Sequence, residues 1–475
     1  MIEIIISNEI VINSPPMEII PDILEKFSIP NPKWKFNNKH GYSNNEVTQS
    51  YLCAEHDDEE DILYVTRGCF NRLANFLETR RLKFKVIDST DKVKQCNFKF
   101  HGKLKPYQKK AVKAFRKCED GVLHAATGSG KTVISLAIIA ERNCPTLIVV
   151  HTTELVKQWI ERINQFLNIP VSEIGIIGGG KKIIKNVTVA TIQTLYKVNR
   201  DVCEYFGHLI IDECHKIPSR TFQEGIFPFN SKYFLGLTAT PYRRDGLEQL
   251  IFSTIGEIVH TVDKGALKAN KDILIPRIHM RNTEFEIKPV KRGRVVSLPT
   301  IDSDYGIIMK QISEDHERTK LICEDVINNL HTGMCLIISD RKHHCAKFHE
   351  MLTKNDVYSE MLLGHMSDVA REKVTAKVQA NEVPVLIATA SLIGEGFDCK
   401  YLTNLFLTMP IKFKGRLTQY VGRILRPDGN KDKIPQIFDY VDKNISYFNS
   451  TAAQRLKVYG NEFPLAEFHK QHKKQ

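Results

Sequence analysis

The run Ala125-Ala126-Thr127-Gly128-Ser129-Gly130-Lys131-Thr132 constrains this chain more than any other feature. An apolar stretch at 121–125 precedes it, and a helical pattern through Val133, Ile134, Leu136 and Ala137 follows. A strand that turns through glycines into a helix holds phosphate, because backbone N–H groups and the helix N-terminus converge on the anion. Thr127, Gly128, Ser129 and Gly130 are the candidate cradle for a nucleotide such as ATP. Lys131 is placed to reach its terminal phosphates, and the Thr132 hydroxyl to hold Mg²⁺.

A loop of this kind requires a parallel sheet behind it, and the chain supplies the pattern. From 96 to 263, apolar strands at 121–125, 146–151, 187–191, 208–211 and 233–238 alternate with helical segments. A second cycle, 301–445, has strands at 334–339, 385–389, 402–407 and 436–440. Such alternation gives an α/β fold with two tandem parallel-sheet domains, each covered on both faces. Residues 1–95 read as a small α+β domain. Ile2, Ile4 and Ile6 open a strand pair. A strand at 62–65 leads into a helix at 69–78 with Phe70, Leu73, Ala74 and Leu77 on one face, and the acidic run 56–61 reads as a solvated turn. Residues 264–300 join the two cycles and contain the basic run Lys288-Pro289-Val290-Lys291-Arg292-Gly293-Arg294, readable as linker, hairpin or strand insertion. Residues 446–475 form a partly helical tail.

With 67 Lys and Arg against 55 Asp and Glu, the net charge is +12. An excess of cations favours a polyanionic partner through counterion release, although a generally basic surface explains it equally. The 11 cysteines contain no C-x-x-C pair, so reduced thiols and a cytoplasmic setting are expected, the host cytoplasm if the chain is viral. Cys335, His343, His344 and Cys345 have a spacing that matches no usual zinc site. No apolar run reaches the roughly 18 residues of a membrane span, and the N-terminus lacks the pattern of a signal peptide.

The second motif is Asp212-Glu213-Cys214-His215, directly after the apolar 208–211. Asp212 at a strand end can bind Mg²⁺, and Glu213 can polarise an attacking water. Acidic residues commonly terminate strands, so the pair gains meaning only from the loop upstream.

Together the two motifs resemble motifs I and II of superfamily-2 helicases in a DEAD/DEAH-like variant, and further pieces follow in that family's order. Leu104-Lys105-Pro106-Tyr107-Gln108 resembles the Q motif, which implies that Gln108 reads adenine. Thr153 and the pair Thr191 and Gln193 stand where motifs Ia and Ib hold a phosphate backbone. Leu237-Thr238-Ala239-Thr240-Pro241 resembles motif III, implying that Thr238 and Thr240, with His215, couple hydrolysis to nucleic acid. Thr389 and Gly394-Glu395-Gly396-Phe397-Asp398 resemble motif V. Thr389 would then touch nucleic acid, and Gly394 and Asp398 the nucleotide. Gln419-Tyr420-Val421-Gly422-Arg423-Ile424-Leu425-Arg426 resembles motif VI, with Gln419 on nucleic acid and Arg423 and Arg426 as arginine fingers.

Pro106-Tyr107-Gln108 and Thr238-Ala239-Thr240-Pro241 are similar to the XPB/Rad25 and UvsW group. Asn31-Pro32 and Leu63-Tyr64-Val65-Thr66-Arg67-Gly68 resemble the N-terminal segment of its bacteriophage members. Arg243-Arg244-Asp245 departs from the Arg-Glu-Asp of XPB proteins. The resemblance implies two RecA-like domains, ATP and Mg²⁺, and a monomeric DNA motor without a membrane partner. It further implies action on branched DNA, at forks and Holliday-like junctions, in replication, recombination or repair. Lys33-Trp34-Lys35-Phe36 and Lys39-His40 suit phosphate contact and base stacking, unless 1–95 merely packs on its neighbour with Trp34 in its core. Three readings of other classes stay open: an RNA helicase or RNA-clamping ATPase, a passive nucleic-acid binder with an inactive nucleotide site, and a small-molecule kinase. The kinase reading leaves the motif VI run without a purpose.

Overall fold

Strands that are apolar on both faces need helices above and below them, and the computed structural model builds two sheets of this kind. It describes every residue except 46, 91–92, 127, 199, 243–245, 263–264, 266–273, 293–294, 395–398, 400, 412–416, 418–419, 423, 425–433, 463–466 and 471–475. The chain divides into two compact units, Met1–Ala266 and Leu267–Gln475.

The first unit holds a small N-terminal sheet and a large parallel one. The small sheet contains β1 (Ile2–Ile6), β2 (Glu9–Asn13), β5 (Ala54–Asp57), β6 (Ile62–Thr66) and β7 (Phe84–Asp88), in the order β5-β6-β2-β1-β7. A separate pair, β3 (Ser28–Pro30) and β4 (Ser50–Leu52), flanks it. The helix Phe70–Thr79 turns Leu73, Phe76 and Leu77 onto Ile4, Ile10, Ile12, Leu63 and Val65.

The large sheet contains β8 (Asp120–His124), β9 (Thr146–Val150), β10 (Ile174–Gly178), β11 (Lys181–Ile183), β12 (Val187–Thr191), β13 (His208–Asp212), β14 (Tyr233–Thr238) and β15 (Ile258–Thr261). Its order is β11-β10-β12-β9-β13-β14-β8-β15. Strands β9, β12 and β13 are buried along their whole length, which accounts for their unbroken apolar sequence. The antiparallel β11 is exposed at the edge, where Lys181 and Lys182 discourage pairing with another chain.

The two sheets of this unit share packing. Arg67 is 3% exposed and makes five hydrogen bonds. Nε and Nη2 donate to the Asp120 carboxylate at 2.7 and 3.2 Å. Nη1 and Nη2 donate to the carbonyls of Ser231 and Lys232 at 2.6 and 2.7 Å, and Nη1 to that of Ser7 at 3.2 Å. Its guanidinium lies 4.8 Å from the centre of the Phe234 ring. A Cβ on the adjacent Gly68 would stand 2.2 Å from the Phe252 carbonyl oxygen and 2.5 Å from the Gly256 nitrogen, so only glycine fits there. Leu250, from the helix Glu248–Ile255 beside the parallel sheet, belongs to the N-terminal core.

The second unit is built on β16 (Arg277–Thr283), β19 (Met334–Ser339), β20 (Ser359–Leu362), β21 (Val385–Thr389), β22 (Leu402–Leu407), β23 (Gln436–Asp442) and β24 (Glu467–Lys470). Their order is β20-β21-β19-β22-β23-β16-β24, and every pairing is parallel. Residues 264–300, expected to be a linker, thus place β16 inside this sheet. The strand buries only Ile278 and Thr283 fully, so it carries no apolar run to betray it. The expected tail likewise supplies the helix Ser446–Glu462 and β24. Strands β17 (Val290–Arg292) and β18 (Val295–Ser297) pair antiparallel and, among the described residues, with no other strand, so the basic stretch contributes one strand of a hairpin. Cys335 and Cys345 lie in the apolar core, while His344 Nδ1 meets Ser339 Oγ at 3.0 Å and His343 Nε2 meets Ser313 Oγ at 2.7 Å. Among the described residues no helix is long and apolar enough to cross a membrane.

Candidate nucleotide site and nucleic-acid edge

Parallel strands deliver their carboxyl ends to one edge of a sheet, where loops collect ligands. In the first unit β8, β14 and β13 are neighbours. Their ends therefore bring the glycine loop, Thr238 and Asp212 side by side. The loop leaves β8 at His124 and enters the helix Lys131–Arg142. Gly128 and Gly130 have φ of 86° and 79°, a backbone that L side chains resist. Lys131 and Thr132 open the helix and are half-buried. Ser129 is buried, and its carbonyl accepts hydrogen bonds from Tyr107 Oη at 3.3 Å and Gln108 Nε2 at 3.2 Å. The Gln108 Oε1 accepts from the Lys105 N–H at 3.0 Å. Gln108 thus braces the loop from behind, with both ends of its amide engaged by the protein.

Across from the loop, Lys131 Nζ stands 3.8 Å from Glu213 Oε1. Glu213 is held at φ 50° and ψ 49°, a left-handed conformation that costs a non-glycine residue energy and recurs at functional sites. Its other oxygen, Oε2, lies 3.2 Å from His215 Nδ1, which is also 3.2 Å from Thr238 Oγ1. Thr238 Oγ1 accepts the N–H of Thr240 at 3.0 Å. A polar line therefore runs from the glycine loop through Glu213 and His215 to Thr238 and Thr240. Burial pushes the Glu213 carboxyl up, but Lys131 and the His215 contact outweigh it and hold the group well below the usual range. Asp212 shifts the other way, because burial and the Glu213 charge beside it both penalise its ionised form. Trp159, 2% exposed on the helix Thr153–Leu167, donates from Nε1 to Asp212 Oδ2 at 2.9 Å. The hydrogen bonds of Trp159 to Asp212 and of Tyr107 to the Ser129 carbonyl are contacts that the sequence does not announce. Their signal is a polar-tipped aromatic on an otherwise apolar helix face.

The nucleic-acid candidates share the same edge, one and two strands further along. Thr153 is exposed in the first turn of its helix, after β9. Thr191 ends β12 and meets Thr194 Oγ1 at 3.1 Å, and Gln193 donates to the His151 carbonyl at 3.1 Å. In the second unit Thr389 ends β21, and Gly394 closes the short helix Ala390–Gly394. Thr127, Asp398, Gln419, Arg423 and Arg426 lie outside the described residues, as does Arg243-Arg244-Asp245.

In the N-terminal part, the helix Pro32–His40 presents a basic and aromatic surface. Lys33, Lys35, Phe36, Lys39 and His40 are exposed. Phe36 stacks on His40 with ring centres 4.2 Å apart, and Tyr42, returned by Gly41 at φ 71°, stacks 6.2 Å from Phe36. Trp34 is half-buried and lies outside the apolar core, so it is not the core residue that a packing-only domain would need.

Comparison with known proteins agrees with this layout. The family described as "Type III restriction enzyme, res subunit" matches residues 101–243, and "Helicase conserved C-terminal domain" matches 317–428. The chain is 29% identical to the DNA 3'-5' translocase XPB2 of Sulfurisphaera tokodaii, over 74% of this chain and 84% of that one. It is 24% identical to a probable helicase of Escherichia phage T5, over 82% of each. Among solved structures, RNA-bound Dbp5 of S. cerevisiae covers 78% of this chain and 90% of its own at 13% identity, with a TM-score of 0.56, a likeness of fold.

Proposed function

Because this chain belongs to the superfamily-2 helicases, in their XPB/UvsW-like group, we propose that its ATP-driven motor works on DNA and is directed to branched substrates. The observation that carries the motor mechanism is the line Lys131, Glu213, His215, Thr238, Thr240 along one sheet edge. Lys131 neutralises the terminal phosphates. Glu213, kept ionised, orients and deprotonates the attacking water. His215 carries a change at Glu213 to Thr238 and so to the loop beside the nucleic acid. The half-buried Thr132 hydroxyl and the Asp212 carboxylate are hard oxygen donors of the kind Mg²⁺ takes, and the ion adds charge neutralisation at the phosphates. Trp159 fixes which Asp212 oxygen faces the site. Arg423 and Arg426 supply cations to the phosphoryl-transfer transition state. In the first unit Thr153, Thr191 and Gln193 are assigned to the phosphates of a nucleic-acid strand, and in the second unit Thr389 and Gln419 are assigned the same role.

Branch selection rests on the stacked Phe36, His40 and Tyr42 among Lys33, Lys35 and Lys39. Aromatic faces accept unpaired bases and lysines hold the backbone, a combination suited to a junction. The test keeps the chain whole, since Arg67 and Gly68 fasten this segment to the parallel sheet. Lys33→Glu, Lys35→Glu and Phe36→Ala together should leave ATPase activity on linear single strands intact and abolish the preference for forks and four-way junctions. Equal fork and linear affinities in the unmodified chain, or an unaltered preference in the variant, would remove branch selection. Stronger ATPase stimulation by RNA than by DNA would reassign the substrate.

A further inference from the structure

None of the residues assigned to the nucleotide lies in the basic hairpin β17–β18, yet the hairpin is firmly held at its base. Strand β16 ends at Thr283, whose hydroxyl donates to Asp442 Oδ1 at 2.6 Å, and the same oxygen accepts from the buried Arg318 at 2.8 Å. Phe285 then sinks into a cluster with Ile308, Met309 and Phe448. The backbone of Lys288 is clamped at both polar atoms by one side chain: its N–H donates to Gln311 Oε1 at 2.9 Å and its carbonyl accepts from Gln311 Nε2 at 2.8 Å. The returning leg is fixed by the helix Ile301–Glu314, which Thr300 caps. Both legs are thus anchored at the carboxyl edge of the sheet, while among the described residues the strands pair with nothing but each other.

Beyond that base the surface is cationic and aliphatic. Lys288 and Lys291 are exposed, Val296 is 65% exposed and Leu298 59%. A lone two-stranded ribbon gains little stability from its pairing, and aliphatic side chains left in water on it add none. Lysines suit phosphates, and aliphatic groups of this size serve as wedges between base steps. The location fits that use. Thr389 ends β21 on the same edge, four strand spacings from β16, or about 19 Å. That is the length of roughly five or six stacked nucleotides at 3.4 Å each.

We propose that this hairpin is a second nucleic-acid element, a wedge whose Val296 and Leu298 bear on the terminal base pair where duplex DNA meets the single strand held at Thr389, with Lys288 and Lys291 on the flanking phosphates. The inference rests on the DNA-motor reading above. It is tested in the full chain with two exposed-surface variants, Val296→Ser/Leu298→Ser and Lys288→Glu/Lys291→Glu. The probe is a forked DNA carrying 2-aminopurine in the terminal base pair, measured beside ATPase activity stimulated by single-stranded DNA. The serine variant should retain that ATPase activity within twofold, lose the fluorescence rise that reports unstacking, and unwind the fork at least tenfold more slowly. The glutamate variant should weaken fork binding and flatten its salt dependence. Unstacking and unwinding unchanged in the serine variant overturn the wedge while leaving the motor reading intact. An unmodified chain whose ATPase activity ignores DNA sinks both.

Discussion

Replacing Arg67 by alanine should cost the first unit about 3 kcal/mol. Breaking a buried ion pair from one side leaves the other charge uncompensated, at roughly 3–5 kcal/mol. The lower end applies because the Asp120 side chain keeps 22% exposure and still accepts the Phe234 N–H at 3.0 Å. The carbonyls of Ser231 and Lys232 lose their donors as well. Both tryptophans of the chain, Trp34 and Trp159, lie in this unit, one in each of its halves. Tryptophan fluorescence during urea unfolding therefore reports it selectively, and Trp34→Phe leaves Trp159 alone to report the motor half. In the parent the two halves should melt together. In Arg67→Ala the N-terminal half should come away at lower urea. The penalty should also depend on pH. Burial raises the Asp120 carboxyl despite the Arg67 guanidinium beside it, and removing the cation raises it further. A carboxyl whose folded value is raised takes up its proton first in the folded state, so stability falls as pH climbs from the ordinary aspartate range of about 4 through the raised value. The gap between variant and parent should accordingly narrow towards pH 4 and widen towards neutrality. A loss below about 1 kcal/mol, with one shared transition and no pH trend, refutes the anchoring argument.

Other outcomes follow from the nucleotide edge. Glu213→Gln should bind ATP yet slow turnover by about 10²–10⁴-fold, whereas Lys131→Ala should impair binding as well, and nucleotide-binding titrations beside turnover separate the two. Trp159→Phe keeps the ring but not the hydrogen bond to Asp212, so the Mg²⁺ concentration for half-maximal ATPase activity should rise about tenfold or more; an unchanged Mg²⁺ titration denies Trp159 that role. Arg426→Ala with Arg423→Ala should depress turnover by about 10³-fold or more at near-normal ATP affinity, and equal turnover would rule out the fingers. DNA affinity should fall steeply and linearly on a log–log plot against salt, and a flat plot would contradict phosphate-based holding.

What the sequence made legible was local. The glycine loop and Asp212-Glu213 are contiguous, and the strands that carry them are buried on both faces, so residue type and period identify them unaided. Trp159 and Asp212 are 53 positions apart and meet only because β9 and β13 are neighbours. Strand β16 escaped because its sequence, Arg277-Ile278-His279-Met280-Arg281-Asn282-Thr283, buries two residues of seven. The hairpin's basic character was plain, but its anchorage depends on Gln311, Asp442 and Arg318, which the chain brings from far downstream. Likewise Gly68 reads as an ordinary turn glycine until the Phe252 and Gly256 backbone is laid against it.

Arg67 meets the parallel sheet at Asp120, the first residue of β8, while Gly68 packs on the backbone at Phe252 and Gly256, and β8 ends at His124, where the glycine loop begins. The far side of the N-terminal segment and the phosphate cradle are thus joined by a single strand, about 13 Å long at 3.3 Å per residue step. Residues 1–89 are therefore no free module: a recipient must offer an acidic residue at position 120, a bare backbone surface at 252–256 and a leucine at 250. Hybrids between relatives of this chain should fold when those positions travel with the segment, and should aggregate when the crossover falls between residues 89 and 120.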